Sequence, residues 1–253
     1  MKLASATALV AAALVLGAPA AAQTKADLLA KRSRDCPGCD LTDAKLKRYD
    51  LSGANLAGAI LTGANFHGAK LAGADLSGAE LSGANLNKTD LRRANARGAK
   101  LNKAFVYGSD LSGANFAGAD LSGALMGRTR MQQTNFEQAT FVEADLRFTR
   151  MSGANLKGAN LSGSDLSETN LQQAALVGAN LDWTTLAKAV LSGADLTGAS
   201  LVRADLIGAE LRQSNLTNAD LRDSRLSGIK QIGAIFDGAK LSGALMPDDT
   251  IHD

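Results

Sequence analysis

The sequence predicts a solenoid, a chain wound into stacked coils around one apolar interior, and three observations predict it. Forty-two consecutive pentapeptides, centred on Leu41–Met246, follow one another without an insertion or a deletion. The central residue is large and apolar in every unit except those centred on Ala96 and Gln231. The residue two positions earlier is Ala, Ser, Thr or Cys except at Tyr49 and Ile229. Such a fixed period is typical of units that bury their apolar side by stacking on their neighbours.

A period of five fits neither an α-helix nor a strand, so each unit has to turn a corner. The glycine that commonly ends a unit relieves the backbone strain at that corner. One large and one small inward side chain per unit can close around a narrow axis without voids, as native packing density requires. The sequence therefore predicts an architecture, and it names no molecular target.

The repeat has the pattern A-(N/D)-L-x-G, for example at residues 54–58, 74–78 and 194–198. This pattern closely resembles the pentapeptide-repeat family, and the resemblance covers residues 36–246. It implies an all-β fold, a right-handed four-sided parallel β-helix with four pentapeptides in each 20-residue coil. The central residue and the small residue before it are expected to point inward, and the other three positions outward.

Folding the repeats in this way gives a rod of about 10.5 coils, roughly 50 Å long at the spacing of parallel strands. Core residues 20 positions apart are expected to stack, among them Phe116 on Phe136 and Met131 on Met151. Each buried leucine contributes about 2 kcal/mol, so the core is ample despite few aromatic residues.

Residues 1–22 have the pattern of a secretory signal peptide. Lys2 precedes an apolar run over residues 3–17, and Ala20-Ala21-Ala22 precedes Gln23, where cleavage is expected. The run is too short to span a membrane. The sequence therefore predicts export to the periplasm or out of the cell.

Charge gives no global reason to bind nucleic acid. Cleavage would remove Lys2 from 27 Lys and Arg, which leaves them almost balanced by 25 Asp and Glu. The gyrase-protecting, quinolone-resistance members of the family resemble B-form DNA in shape and charge. This chain departs from them in its balanced charge, its export signal and its uninterrupted coils, so a DNA-mimicking, topoisomerase-binding role is a disfavoured alternative.

The two ends of the rod are expected to differ. Residues 23–35 leave the register and predict a short helix that caps the first coil. Pro247 ends the repeats, and residues 247–253 are expected to form a flexible tail. Gln231 in a core position, among nearby isoleucines, predicts a distorted last coil. Its apolar surface either collapses locally onto the core, which we favour slightly, or pairs with a second copy to form a homodimer through this end.

Cys36 and Cys39 form a C-x-x-C sequence that the register places inward, beneath the cap. No second cysteine pair or nearby histidine completes a metal site, and the setting of a thioredoxin-like catalyst is absent. In an oxidising compartment we favour a local disulfide over two free buried thiols, and both over redox work.

Nothing in the sequence points to an enzyme, a cofactor or a metal. The two histidines, His67 and His252, lie on an outward position and in the tail, so a nucleophilic triad has no credible base. Asn and Asp recur every 20 residues from Asn55 to Asn215, interrupted only by Ala175, and we interpret them as structural ladders rather than calcium or acid–base sites. A core packed with leucine also leaves no cavity for a substrate.

The best candidate for a binding surface lies where the consensus lapses, roughly over residues 88–150. Outward aromatic, apolar and arginine side chains gather there, a composition that resembles interaction hot spots. The competing interpretation, which the sequence slightly favours, is drift at weakly constrained positions with arginines covering the aromatics. The candidate residues are Phe105, Tyr107, Leu125, Arg128, Arg130, Arg147, Phe148 and Arg150.

We therefore expect a non-enzymatic scaffold or protein-binding rod whose protein partner is unknown. A surface ligand or an envelope component is a further alternative to the protein partner. Trp183, at an outward corner with Arg203 one coil later, is a second anomaly, and we expect a cation–π pair there.

Overall fold

The computed structural model describes residues 20–252, with side chains described from Lys25 onward. The predicted signal peptide therefore lies outside the described residues except for its last three positions. Within the described part, the chain forms one short helix followed by stacked coils, and no helix is long and apolar enough to cross a membrane.

The coils have a strict 20-residue register. Parallel bridges join the residue before each centre to its counterpart 20 residues later, as in Asn55 to Asp75. Each unit contributes one bridged residue, so no extended strand forms. We number the four sides by their centres: side 1 contains Leu41 and every twentieth residue after it, and sides 2, 3 and 4 begin at Leu46, Leu51 and Leu56.

The repeat satisfies its own backbone. In the unit centred on Leu56, the N–H of Leu56 donates to Asp75 O at 2.7 Å and that of Gly58 donates to Ser77 O at 2.8 Å. The N–H of the following Ala59 donates back to Leu56 O at 3.1 Å. The side chain of Asn55 accepts the N–H of Ala57 at 3.1 Å. Asn or Asp before the centre thus supplies an acceptor for the corner, which is why the repeat carries one there.

Both inward positions are buried along the rod, and large residues stack as the register predicts. The rings of Phe116 and Phe136 lie 5.6 Å apart between centroids, and Phe136 meets Phe141 edge-on at 5.0 Å. Ala96, the small exception among the early centres, is fully buried directly below Phe116 in the same column. A small residue beside a large one keeps the core volume nearly constant.

The N-terminal helix, α1, spans Ala20–Leu29 and ends earlier than the predicted 23–35. Lys31 takes a left-handed conformation with φ of 58°. The N–H groups of Lys31 and Arg32 donate to Leu28 O and Asp27 O, the pattern of a Schellman motif, which ends the helix there. Leu28 is completely buried against the first coil, so α1 covers the start of the core.

Tyr49, an exception at a small inward position, lies in the first coil and contacts the helix. Its hydroxyl donates to Leu29 O at 3.1 Å, and the ammonium of Lys31 lies 4.7 Å from its ring centroid. A disulfide joins Cys36 to Cys39, and both are buried at the beginning of the core. Tyr49 and the disulfide thus link the helix and the first coil.

At the C-terminal end the expected distortion is absent. Asn215 bridges Ile235 and Asp220 bridges Lys240, so the last coil keeps its register. Hydrogen bonds to the coil below hold the backbone there whatever side chain occupies position 231, and Gln231 lies exposed. The last coil has not collapsed onto the core either, because Phe236 and Leu241 remain only half-buried.

The residues after Pro247 also differ from the flexible tail that we expected. Leu245 pairs antiparallel with Ile251, and the N–H of Met246 donates to Thr250 O at 2.7 Å. Asp249 turns the chain with a φ of 63°. The segment therefore folds back along one edge of the last coil, and no other described residue covers the rest of that coil.

Candidate protein-binding surface

The three outward positions of each unit differ in geometry. We call the residue before the centre the bridge position and the residue two after the centre the corner position. Corner residues have φ near +60°, where glycine is unstrained and bulky side chains cost free energy. Phe148 and Trp183 are the aromatic residues that occupy this conformation, each with φ of 60°. Their presence there needs a reason other than backbone preference.

Along the rod, long corner side chains usually precede a glycine one coil later. A Cβ on Gly113 would lie 3.7 Å from Cγ of Arg93, and one on Gly153 would lie 3.6 Å from Cγ of Gln133. The long side chain therefore lies across the glycine one coil later, at a distance where even a Cβ would be in van der Waals contact with it. Two runs break this alternation, Arg128-Phe148-Glu168-Lys188 on side 2 and Trp183-Arg203-Asp223 on side 1.

Side 2 carries a strip of apolar side chains that we call the aromatic strip: Phe105, Tyr107, Leu125 and Phe148. Phe105 and Leu125 are bridge residues of adjacent coils and pair directly. All four side chains are 44–47% exposed. Gly127 lies between Tyr107 and Arg147, and a Cβ there would lie 3.5 Å from the tyrosine ring, so the ring lies over the glycine.

The arginines of the candidate surface have different partners. The guanidinium of Arg128 lies 5.3 Å from the ring centroid of Phe148, within the range of a cation–π contact. Arg147 donates two parallel hydrogen bonds to Asp145, at 2.9 and 2.8 Å, and lies 3.7 Å from Asp165. The hydrogen bond from Arg147 lowers the pKa of Asp145, and the same contact raises the pKa of Arg147.

Arg130 and Arg150 are bridge residues of adjacent coils on side 3, next to the corner with side 2. Nε of Arg130 lies 3.7 Å from Oδ2 of Asp110, and no carboxylate of a described residue forms an ion pair with Arg150. Together with Gly108, Arg128 and Phe148 they line an open cleft of about 420 Å³, which we call the arginine cleft. Arg128 and Phe148 belong to both the cleft wall and the edge of the strip.

All eight predicted residues therefore lie on side 2 or at its corner with side 3. Arg147 differs from the others because two aspartates already neutralise it. Sequence reasoning missed the run of corner residues that continues from Phe148 to Glu168 and Lys188. The signal was present in the sequence, because these corner positions lie 20 residues apart and none of them is the usual glycine. Trp183 lies apart on side 1, 59% exposed, with the guanidinium of Arg203 4.6 Å from its ring centroid.

The polar ladders predicted on side 4 are structural. Asn155 donates to Asn135 at 2.9 Å, Asn135 to Asn115 at 3.2 Å, and Asn95 to Asp75 at 3.0 Å. Their oxygens also accept the N–H of the residue directly after the centre of their own unit, as Asn135 accepts from Glu137 at 3.1 Å. Among the described residues, no group of His, Cys, Asp and Glu side chains is arranged to hold a metal ion.

Comparisons with known proteins identify relatives of the rod. The family described as Pentapeptide repeats matches overlapping segments that together run from residue 39 to 228. HetL, a pentapeptide repeat protein involved in heterocyst differentiation regulation in Nostoc sp. strain PCC 7120, is 31% identical over 90% of this chain and 98% of its own, with a TM-score of 0.53.

Two further solved structures are similar over part of the fold. A pentapeptide repeat protein from the Arabidopsis thaliana thylakoid lumen is 32% identical over 47% of this chain and 68% of its own, with a TM-score of 0.24. QnrB1, a plasmid-mediated fluoroquinolone resistance protein, is 19% identical over 79% of this chain and 90% of its own, with a TM-score of 0.36. No curated protein matches the chain.

Proposed function

Because this chain belongs to the pentapeptide-repeat family, whose members form right-handed quadrilateral β-helices, we propose that it is a non-enzymatic rod that binds a partner protein through side 2. The binding surface consists of the aromatic strip and the arginine cleft beside it. The observation that carries the proposal is the continuous exposure of Phe105, Tyr107, Leu125 and Phe148 on three adjacent coils.

Exposed apolar side chains on a rod of Ser, Gly and Asn surfaces are unfavourable in water, and a partner that covers them gains their burial. Aromatic residues and arginines are also the types most enriched in interaction hot spots. The intercoil hydrogen bonds already use most backbone groups on the sides, so a partner has to be recognised by side chains.

The rod presents those side chains in a fixed arrangement. Each coil is bonded to the next through several backbone hydrogen bonds per side, and successive coils lie about 4.8 Å apart. A surface that is rigid before binding loses little conformational entropy when the partner docks. The interior is filled with Leu, Phe, Met and Ala, which supports a surface function over an enzymatic one.

We extend the proposal to location: the protein acts in the periplasm or outside the cell, after cleavage near Ala22 and Gln23. The signal-like pattern of residues 1–22 and the disulfide between Cys36 and Cys39 support export, because disulfides persist in oxidising compartments. Mass spectrometry of the protein recovered from a periplasmic fraction tests this, with Gln23 as the expected first residue. An intact N-terminus at Met1 in that fraction would contradict it.

A pull-down from periplasmic extract tests the binding surface. The double variant Phe105→Ser/Arg128→Ser is expected to lose the partner that the native rod captures. Trp183→Ser/Arg203→Ser is the matched control, since it also removes an exposed aromatic residue and an arginine from the rod, but on side 1. Equal capture by the native rod and the Phe105→Ser/Arg128→Ser variant, both folded, would remove the proposal.

We further propose that two copies pair through the C-terminal end. Ile232 is 73% exposed there, and Phe236 and Leu241 are half-buried at the open face of the last coil. Among the described residues, the N–H groups of Gln231, Phe236 and Leu241 have no backbone acceptor, whereas their counterparts one coil earlier all do. A second copy would cover both the apolar side chains and the unpaired backbone.

A further inference from the structure

The geometry points to a partner of specific chemistry: we infer that the arginine cleft binds carboxylate side chains from an acidic peptide segment of the partner protein. This inference rests on the proposed function and deepens it. The apolar residues of the same segment would lie against the neighbouring aromatic strip.

The charge pattern of the bridge positions singles out this cleft. Elsewhere in the described chain, the basic bridge residues other than Lys45, which pairs with Asn65, stand next to acidic ones, as in Lys100 with Glu80 at 2.7 Å and Lys230 with Glu210 at 2.7 Å. Arg130 and Arg150 are the only basic residues that occupy consecutive bridge positions of one column in that part of the chain. Two like charges one coil apart repel each other, and an anion placed between them relieves the repulsion.

A third guanidinium is fixed at the wall of the cleft. Arg128 lies over the ring of Phe148 and makes no ion pair with a described residue. Gly108, one coil below Arg128, has no side chain and so leaves space at that end of the cleft. Among the described residues only Arg130 of these three cations has a carboxylate within ion-pair distance, Asp110, so the cleft has an excess of positive charge on an otherwise balanced rod.

Carboxylates fit these arginines in a geometry that the chain already uses. Asp145 and Arg147 form a fork of two parallel hydrogen bonds at 2.9 and 2.8 Å, and Asp90 does the same with Arg92 at 2.8 and 2.7 Å. The planar guanidinium matches a carboxylate in this way, and such charge-assisted pairs are stronger than neutral hydrogen bonds.

The surroundings favour a short acidic segment over a long polyanion. Asp145 and Asp165 lie beyond the cleft along side 2, and Asp110 lies below Arg130 on side 3. Asp145 and Asp165 share the single cation Arg147, so a nucleic acid or a sulfated polysaccharide that continued along side 2 would meet a net negative charge there and be repelled. A peptide that alternates acidic and apolar residues can place its charges on the arginines and its apolar side chains on the aromatic strip.

Fluorescence anisotropy with a synthetic peptide tests the inference on the full mature chain. The probe is a labelled twelve-residue peptide of alternating Asp and Phe, and the comparison probe has Asn in place of every Asp. At about 50 mM salt, where screening is weak, Arg130→Gln/Arg150→Gln is expected to weaken binding of the acidic probe by about tenfold or more. Lys70→Gln/Arg225→Gln removes two charges from other bridge positions and is expected to change it less than about twofold.

Three results would overturn the inference. One is equal binding of the Asp and Asn probes, and another is equal binding of the acidic probe by the native chain and Arg130→Gln/Arg150→Gln. The third is tighter binding of heparin or polyphosphate than of the peptide, lost in the same double variant, which would assign the cleft to a different class of anion.

The pull-down separates this inference from the proposed function. Loss of the partner in Phe105→Ser/Arg128→Ser but full retention in Arg130→Gln/Arg150→Gln would overturn the acidic segment and leave side 2 as the binding surface. Retention in both variants would overturn both ideas. If both variants lose the partner and the native chain binds the acidic probe as expected, the result supports both the binding surface and the acidic segment.

Discussion

A single corner residue shows the conflict between backbone preference and side-chain exposure most clearly. Phe148 combines a left-handed backbone, an exposed ring and a neighbouring corner residue that is not glycine. The left-handed conformation costs a non-glycine residue about 1–2 kcal/mol. An exposed cation–π contact with Arg128 returns only about 0.5–1 kcal/mol. Folding stability alone therefore does not account for a phenylalanine at this corner.

Replacing Phe148 with glycine is expected to leave the free energy of unfolding within about 1 kcal/mol of the native value, because relief of backbone strain offsets the lost contact. Capture of the partner is expected to fall. Leu146→Ala, at the buried centre of the same unit, is the control and is expected to cost about 2–5 kcal/mol. Urea unfolding measures the stability of both variants. A large loss of stability in Phe148→Gly would show that the ring serves the fold.

Asp145 gives the surface a predictable response to acid. Its pKa is lowered, chiefly by the hydrogen bond from Arg147, so the folded state favours the ionised carboxylate. The stabilisation is therefore complete above the unfolded pKa of about 4 and is lost as the pH falls through the lower native pKa. Asp145→Asn is expected to cost up to about 1 kcal/mol at pH 7 and less near pH 2. Thermal unfolding at the two pH values measures the difference, and a cost independent of pH would contradict this account.

Columns of side chains, rather than strands, are the elements of this rod. On side 4, the oxygen of Asn115 accepts hydrogen bonds from Asn135 and from the N–H of Ala117, both at 3.2 Å. A buried column of hydroxyls runs beside the candidate surface, where Thr129 donates to Val106 O at 2.8 Å and Ser109 donates to Leu86 O at 2.6 Å. Each column links consecutive coils, so one substitution affects contacts within its own coil and with the neighbouring coil.

Asn115→Ala is expected to lower the free energy of unfolding by about 1–2 kcal/mol, because two acceptor contacts are lost at a partly buried site. Asn115→Asp keeps the acceptor and is expected to cost less than half as much, as Asp75 occupies the same column in the native chain. Urea unfolding midpoints distinguish the two variants, provided that the dependence of the unfolding free energy on urea concentration (the m-value) is the same for both. Equal effects of both substitutions would show that the ladder contributes little.

Sequence reasoning reached the columns before the structure, but it did not reach the boundaries of the terminal elements. The inward register of Cys36 follows from the five-residue period, and the stacking of Phe116 on Phe136 follows from that period together with the 20-residue coil that the family resemblance implies. The end of α1 at Leu29 depends on a Schellman motif at Lys31, a residue without the usual signal of glycine. Arg147 has two carboxylate partners and Arg150 forms no ion pair with a described residue, a difference that depends on which carboxylates lie within reach and that the repeat pattern does not encode.

The whole rod has two unequal ends, and that asymmetry governs how it can assemble. At the N-terminal end α1 covers the core with Leu28, and Tyr49 bonds to the helix. At the C-terminal end the fold-back of the tail covers only one edge of the last coil. An open coil with apolar side chains and unpaired N–H groups is a template for association.

If the C-terminal ends pair, light scattering of the native chain is expected to give the mass of a dimer at high concentration. Ile232→Glu is expected to shift it to the monomer, because a buried, unpaired carboxylate at the contact is costly. Ile60→Glu is the control, since Ile60 is also an exposed isoleucine but lies on side 1 near the other end. A native chain that stays monomeric at high concentration would contradict end-to-end pairing.

The sequence by itself determined the inward register: a five-residue spacing of apolar centres requires each unit to turn and to bury its centre by stacking, and the resemblance to the pentapeptide-repeat family implied four units in each coil. It also determined which residues face outward, including all eight of the candidate surface. Only the tertiary structure decided which outward charges are neutralised and how the ends finish. Those outcomes depend on distances between side chains 20 residues apart and on local hydrogen bonds at the termini, where the repeat no longer constrains the chain.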